Sequence, residues 1–331
     1  MSRIAVIGAG AWGTALCIAL GRAGRHELRL WAYEREVLES VERERTNDLF
    51  LPGFILPESI AITNSLPAAL ERAQIVLAVM PSHHARRLYN EMQSSLPSDV
   101  MIVSATKGIE NQSYKRMTEV ATEASGVDRI AALSGPSFAK EVARGDPSAL
   151  TVASADAEVG ACVQREFSDS MFRVYTSEDV IGVELGGALK NVIAIAAGIA
   201  EGLGFGHNTA AALITRGLAE ITRLAVACGA RRETLSGLSG MGDLVLTCTG
   251  GLSRNRTVGV ELGRGRKLRD IMAGMHGMVA EGVLTTDAAL GLAQRHGIEM
   301  PISEQMHAIL HEEKPPREAI RDLMNRPGKE E

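Results

Sequence analysis

Residues 3–31, RIAVIGAGAWGTALCIALGRAGRHELRLW, decide the fold. The apolar run 3–7 reads as a strand, 13–23 as a helix and 28–31 as a second strand, so the stretch is one βαβ unit. Its turn, Gly8-Ala9-Gly10-Ala11-Trp12-Gly13, is a GxGxxG. Glycine-rich hexamers arise by chance, but this one follows a strand and opens a helix inside a unit of about 30 residues, which is the context the pattern requires. Gly8 permits the tight turn, Gly10 lets a pyrophosphate approach the backbone, and Gly13 lets helix and strand pack closely. N–H groups at the helix start then face the diphosphate. The loop implies a bound dinucleotide and says nothing about the reaction.

The end of the second strand discriminates NAD from NADP, because an acidic residue binds ribose hydroxyls and a basic one accepts a 2′-phosphate. Here it reads Trp31-Ala32-Tyr33-Glu34-Arg35, which carries both signals. Tyr33 could stack on adenine and Arg35 could pair with a phosphate; either could equally be a solvated surface residue.

Outward from this unit, strands are expected at 75–79, 101–104, 130–133, 149–153 and 172–175, several as continuous apolar runs suited to a sheet covered on both faces. After about Thr176 the period becomes helical: 179–203, 209–228, 257–262, 281–296, 303–312 and 317–325. Asn208 is the expected N-cap of the second of these helices and Gly229 its stop, while Pro315 and Pro316 mark the start of the last. Residues 327–331 are expected to fray. The expected architecture is an α/β Rossmann-type N-terminal domain with a mainly parallel sheet, residues 1–178, followed by an all-α C-terminal domain, residues 179–331.

Bulk properties narrow the function. A chain of 331 residues, 45% apolar, is ordinary for a globular enzyme of two domains. A formal net charge of −5 argues against a nucleic-acid partner, though not against a small anion held by local cations. Cys17, Cys162, Cys228 and Cys248 are scattered, with no metal-ligand spacing, so no metal is expected and each cysteine reads as a small apolar residue in a reducing compartment. The apolar start is broken by Gly8, Gly10 and Gly13, unlike a signal peptide, and the apolar stretch 183–200 has Lys190 inside it, which makes it a poor membrane span. The expectation is a cytoplasmic protein that is not integral to a membrane.

Lys190 stands in Leu185-Gly186-Gly187-Ala188-Leu189-Lys190-Asn191. Two glycines within a helix cost about 0.5–1 kcal/mol each and suggest a close approach to the backbone. Gly186, Gly187, Lys190 and Ala194 share one face, so an ammonium projects from a smooth surface where a ligand could sit. A partly desolvated lysine can exchange protons near neutrality; a snorkelling lysine is the equally weighted alternative. Lys107, in Ser104-Ala105-Thr106-Lys107-Gly108 just after a strand, is the natural second cation. Ser134-Gly135-Pro136-Ser137-Phe138-Ala139 follows another strand and opens a helix, so its N–H groups could hold an anion or an amide. Ser253-Arg254-Asn255-Arg256 offers a guanidinium fork and an amide suited to phosphate, or is an exposed basic loop. Asp243 could orient the lysine or cap a helix.

Taken together, GAGAWGTAL at 8–16, ATKGIE at 105–110, SGPSFAKE at 134–141, FRVY at 172–175, GVELGGALKNVIAIAAGI at 182–199, GLGFGHNTAAALITRGLAE at 202–220, GDLVLTCT at 242–249 and SRNR at 253–256 closely resemble bacterial NAD(P)-dependent glycerol-3-phosphate dehydrogenases over nearly the whole chain. The resemblance implies a 6-phosphogluconate-dehydrogenase-like helical domain and reversible hydride transfer between a nicotinamide, NAD or NADP, and carbon 2 of a small phosphorylated substrate. It implies Lys190 as proton carrier, Lys107 as a residue contacting substrate and cofactor, and Asp243 and Thr247 as support for the lysine. Substrate positions are then Lys107, Gly135, Ser137, Lys190, Asp243, Ser253, Arg254 and Asn255. Cofactor positions are Gly8, Gly10, Ala11, Trp12, Gly13, Tyr33, Lys107, Ala139, Arg254, Val279 and Glu281. Tyr33 departs from the basic or His residue common there. A homodimer is expected on the same ground. Related hydroxyacid and ketopantoate reductases also carry a helical lysine; the Ser253-Arg254-Asn255 grip favours the phosphorylated substrate. A non-catalytic NAD(P) sensor would be expected to lose Lys190 or Asp243, and both are present.

Overall fold

The computed structural model describes residues 2–275 and 279–328. The chain divides into two compact units: Met1–Lys107 with Lys115–Glu184, and Gly108–Tyr114 with Leu185–Glu331.

The first unit runs β1 (Ser2–Ile7), α1 (Ala11–Arg22), β2 (His26–Trp31), α2 (Arg35–Glu44), β3 (Thr46–Asn47), β4 (Leu51–Ile55), β5 (Ile60–Thr63), α3 (Leu66–Leu70), β6 (Ile75–Ala78), α4 (Ala85–Met92), β7 (Met101–Ser104), α5 (Met117–Ser125), β8 (Ile130–Ser134), α6 (Ala139–Arg144), β9 (Ser148–Ala153), α7 (Ala157–Phe167) and β10 (Phe172–Ser177). The main sheet has the order β10-β9-β8-β7-β6-β1-β2-β5, and β3-β4 form a separate two-stranded sheet. Every neighbouring pair of the main sheet is parallel except β8-β9. All seven expected strands are present. The edge strand β5 and the β3-β4 pair were not anticipated, because they are short and partly exposed rather than continuous buried apolar runs.

Alternation along the central strands explains the two-sided core. Ile4 and Val6 of β1, with Ile75 and Leu77 of β6, face a cluster built on α1; Ala5, Ile7, Val76 and Ala78 face one built on α4 and α5. Both faces are thus dry, as central parallel strands require. The crossover helices supply matching stripes, such as Leu88, Tyr89 and Met92 on α4 and Val120, Ala121 and Ala124 on α5.

The helix α8 (Val180–Gly202) leads into the second unit, which continues with α9 (His207–Ala227), α10 (Arg232–Leu235), a π-turn at Leu238–Gly242, α11 (Asp243–Thr249), α12 (Arg254–Gly263), α13 (Leu268–Ala273), α14 (Glu281–His296), α15 (Pro301–His311) and α16 (Pro316–Met324). Although α8 is long and apolar enough to cross a membrane, most of it is buried inside the protein as a core helix. Asn208 does not cap α9. Gly206 holds that position and the helix starts one residue before Asn208, so the expected side-chain amide cap is replaced by bare backbone. Gly229 does end it, with φ +98 in the left-handed region. Pro315 and Pro316 occupy the N-cap and first position of α16. Residues 327 and 328 are exposed without regular structure, and the rest of the tail expected to fray, 329–331, lies outside the described residues.

Glycines make α8 and α12 cross at backbone contact. A Cβ on Gly198 or Gly202 would collide with the carbonyls of Arg256 or Val260, and one on Gly259 or Gly263 with those of Ile195 or Ile199. Two Gly-x-x-x-Gly faces therefore interlock, each helix seated in the other's bare groove.

Candidate functional site

In the first unit the glycine loop behaves residue by residue as its spacing suggested. Gly8 has φ +117, and a side chain there would press on the Val79 carbonyl at 2.7 Å. A Cβ at Gly13 would strike the Gly8 carbonyl, while one at Gly10 would meet nothing within 4 Å. Gly10 is also the N-cap of α1, which begins at Ala11, two residues earlier than the periodicity indicated. The helix start thus opens onto a bare surface that a Cβ would obstruct, and the Trp12 indole N–H is buried there with no hydrogen-bond partner among the described residues. These features fit a diphosphate and a polar cofactor group.

A brace under this loop escaped the sequence. The buried Asn47 amide donates to the Ala9 carbonyl at 2.7 Å and to Thr14 Oγ1 at 2.8 Å, and its oxygen accepts from the Phe50 N–H at 3.1 Å. No local signal marks it, because its partners lie 33 and 38 residues away.

At the end of β2, Tyr33 is 67% exposed, with the Arg87 guanidinium 5.9 Å from its ring centroid. Arg35 pairs with Glu39 at 2.8 Å one turn along α2. Neither arrangement chooses between the two nicotinamide cofactors. Past β7, Lys107 Nζ donates to the Gly135 carbonyl at 3.0 Å, and the Ser137 hydroxyl donates to the same oxygen at 2.8 Å. Gly135 has φ +144 and lies against the backbone of Leu150, so Lys107, Gly135 and Ser137 form one constellation at the sheet's carboxyl edge. Ala139 is the first residue of α6, just beyond that loop.

In the second unit Lys190 is 6% exposed, and its ammonium donates to Asp243 Oδ1 at 2.6 Å and to Thr247 Oγ1 at 2.7 Å. Thr247 donates its own proton to the Asp243 carbonyl one turn back, at 2.6 Å, so a lone pair is turned toward the lysine. Asp243 is the first residue of α11, whose N-cap is Gly242, and its carboxylate accepts from Lys190. Cys248 is buried next to this group, and burial pushes its thiol up to about 12 despite the neighbouring Lys190, so it remains a neutral thiol. What approaches α8 at Gly186 is the Ser239 carbonyl of the π-turn, 2.6 Å from a Cβ placed there. That part of the small-residue face is a packing surface for main chain.

The stretch 253–256 is not a loop. Ser253 caps α12 by accepting from the Arg256 N–H at 3.2 Å, and Arg254 and Asn255 form its first turn. Asn255 is buried: its Nδ2 donates to Asn191 Oδ1 at 2.9 Å and its Oδ1 accepts from the Gly282 N–H at 2.9 Å. Asn191, which sequence reasoning passed over, thereby ties the start of α12 to the residue that follows Lys190. Arg254 makes no ion pair or side-chain hydrogen bond among the described residues, and burial alone lowers its pKa. A half-buried guanidinium without an anion is a costly arrangement that an oxyanion ligand relieves. Val279 precedes α14 and Glu281 opens it, next to Gly282 and therefore to Asn255.

Profiles described as NAD-dependent glycerol-3-phosphate dehydrogenase N-terminus and C-terminus match residues 3–160 and 179–321. The chain belongs to the NAD-dependent glycerol-3-phosphate dehydrogenase family. It is 66% identical to glycerol-3-phosphate dehydrogenase (NAD(P)+) of Koribacter versatilis, across 99% of this chain and 98% of that one. Against the protein of the same name from Acidobacterium capsulatum it is 56% identical, with 100% of both chains covered. The crystal structure of glycerol-3-phosphate dehydrogenase from Coxiella burnetii superposes with a TM-score of 0.94 at 41% identity, covering 98% of this chain and 99% of that one. For this dehydrogenase family member, the fold anticipated from sequence, a Rossmann-like parallel-sheet domain and a helical C-terminal domain, is the one observed.

Proposed function

We infer that this enzyme interconverts sn-glycerol 3-phosphate and dihydroxyacetone phosphate with NAD or NADP, supplying the glycerophospholipid backbone. The observation that carries the reading is the buried Lys190 ammonium held between Asp243 and Thr247, in a chain of this family. When bound, the nicotinamide supplies or accepts a hydride at carbon 2. Gly8, Gly10, Ala11, Trp12 and Gly13 would hold its diphosphate portion, with Tyr33, Lys107, Ala139, Arg254, Val279 and Glu281 as further cofactor contacts.

In the direction of reduction, Lys190 delivers a proton to the oxygen on carbon 2 as that atom gains negative charge; in oxidation the neutral amine takes the proton back. Asp243 and Thr247 aim the Nζ and keep it charged until transfer. Lys107, already donating to a carbonyl, adds electrostatic stabilisation at the developing oxyanion, and Gly135 and Ser137 shape the substrate's seat. Arg254, with Ser253 and Asn255 behind it, takes the phosphate, and binding energy from that remote group holds the carbonyl in reach. Residues 1–178 then supply most of the nucleotide contacts together with Lys107, Gly135 and Ser137 for the substrate, and 179–331 the proton carrier, the phosphate grip and the remaining cofactor contacts. We place the enzyme in the cytoplasm as a homodimer, supported by the exposed apolar side chains Phe205, Val226, Met241 and Val245.

Oxidation of NADH and of NADPH, each with dihydroxyacetone phosphate and with unphosphorylated dihydroxyacetone, tests the assignment. Strong preference for the phosphorylated ketone is expected; no turnover of it with either cofactor overturns the reading.

A further inference from the structure

A second cluster of potential ligands lies on the helical unit, on residues that the proposed reaction does not use. His307 and His311 are one turn apart on α15, and Asp287 comes from α14. His307 Nδ1 is 2.8 Å from Asp287 Oδ1, and His311 Nε2 is 3.3 Å from the same oxygen. The three ligand atoms all lie within 4.8 Å of one another. Two ligands bound about 2.0–2.2 Å from a common metal stand roughly 3.0–3.5 Å apart, so both His–Asp edges are close to closed and only the His–His edge must tighten. The other nitrogen of His307, Nε2, faces Glu312 Oε1 at 3.7 Å. At that distance the two make no direct hydrogen bond; a small side-chain movement would make Glu312 the outer carboxylate that fixes the imidazole's tautomer and leaves Nδ1 to ligate. His307 and His311 have the i, i+4 spacing of a helical ligand pair, but the third ligand sits on a different helix and the set assembles only when α14 packs on α15.

We propose that Asp287, His307 and His311 form a binding site for a divalent transition metal, such as zinc, cobalt or nickel, that fastens α14 to α15. Two imidazoles and one carboxylate suit these borderline ions, whereas magnesium and calcium prefer all-oxygen sets. All three side chains are between 32% and 46% exposed, so the ion reaches them from solvent and water completes its coordination. Its role is structural, since none of the three belongs to the Lys190 or Arg254 groups.

The test uses the tag-free full chain, stripped with a chelator and titrated with Co2+ or Ni2+ by calorimetry, with the visible cobalt spectrum as a second readout. One equivalent is expected to bind with a nitrogen-ligand spectrum, and the melting temperature is expected to rise with metal concentration, as binding to the folded state alone requires. In the H307A/H311A variant, whose basal turnover should match wild type, binding and the melting shift disappear. Glu312→Gln is expected to weaken binding on the order of 10-fold. Binding that is unchanged in H307A/H311A, or no binding to wild type, overturns the proposal. So does equal affinity for Mg2+.

Discussion

Asp243 Oδ1 lies 2.6 Å from Lys190 Nζ, and both groups are withdrawn from water. A buried ammonium is tolerated only beside such a partner, and removing one member leaves the other charge uncompensated. Lys190→Ala is therefore expected to lower kcat by about 10²- to 10⁴-fold, the range of a lost general acid. In Asp243→Asn the lysine loses the charge that favours its protonated form. The alkaline limb of kcat for ketone reduction should move to lower pH, measured in steady-state profiles. Near-wild-type turnover in folded Lys190→Ala would falsify the role assigned to it.

Among the described residues Arg254 has no anionic partner, so its truncation should cost substrate binding rather than chemistry. A charge-assisted contact contributes about 1.5–3 kcal/mol, which corresponds to a rise of about 10- to 100-fold in KM for dihydroxyacetone phosphate. Because Arg254 is also proposed to touch the cofactor, the comparison is made at saturating NADH or NADPH, where Arg254→Ala should leave the weak turnover of the unphosphorylated ketone unaltered. Parallel losses on the two ketones would remove the phosphate role.

Asn47 supports the glycine loop from below through Ala9 and Thr14. Asn47→Ala takes the acceptor from the Phe50 N–H and leaves the Ala9 carbonyl with only the Thr14 hydroxyl at 3.2 Å, at a cost of about 1–3 kcal/mol. The expected signature is weaker NAD(H) and NADPH binding by fluorescence titration, with KM for the ketone at saturating cofactor little altered. Unchanged cofactor affinity would reduce Asn47 to a scaffold residue.

Glu220 on α9 is 1% exposed and accepts from the Ile302 N–H at 2.5 Å and the Ser303 N–H at 3.3 Å, at the start of α15. Burial outweighs these bonds and raises its pKa from 4.5 to about 7. Between those values the unfolded chain has released the proton and the folded one still holds it. The contribution to stability is thus fully present below pH 4.5 and lost as pH rises through about 7, amounting to about 3 kcal/mol at most. Urea unfolding of wild type and Glu220→Gln across this window should show wild type losing ground to the variant. A pH-independent difference would contradict it.

The residues that sequence reading found and those it missed differ in how far their partners lie along the chain. β1, β6 and β7 announce themselves because apolar runs bounded by polar turns are local facts, and Lys190 because an ammonium interrupts an apolar helix. Asn47 and Glu220 are silent: a lone polar side chain looks solvated until its partners, 38 and 82 residues away, are brought to it. The 253–256 stretch is compatible with a loop in the sequence, because Ser253 can begin a turn or a helix equally well and only the Arg256 N–H decides. Cofactor choice stays unmarked in both views, with Arg35 committed to Glu39 and Arg87 beside Tyr33.

The glycine crossing of α8 and α12 has a consequence for what the enzyme can be made to accept. One helix bears Lys190 and the other Arg254, and main chain meets main chain where they cross. Neither helix can slide or roll at the crossing without a steric clash, so the span between the proposed proton carrier and the proposed anion grip is a caliper cut in backbone. Side-chain substitutions can blunt either jaw but cannot reset the gap.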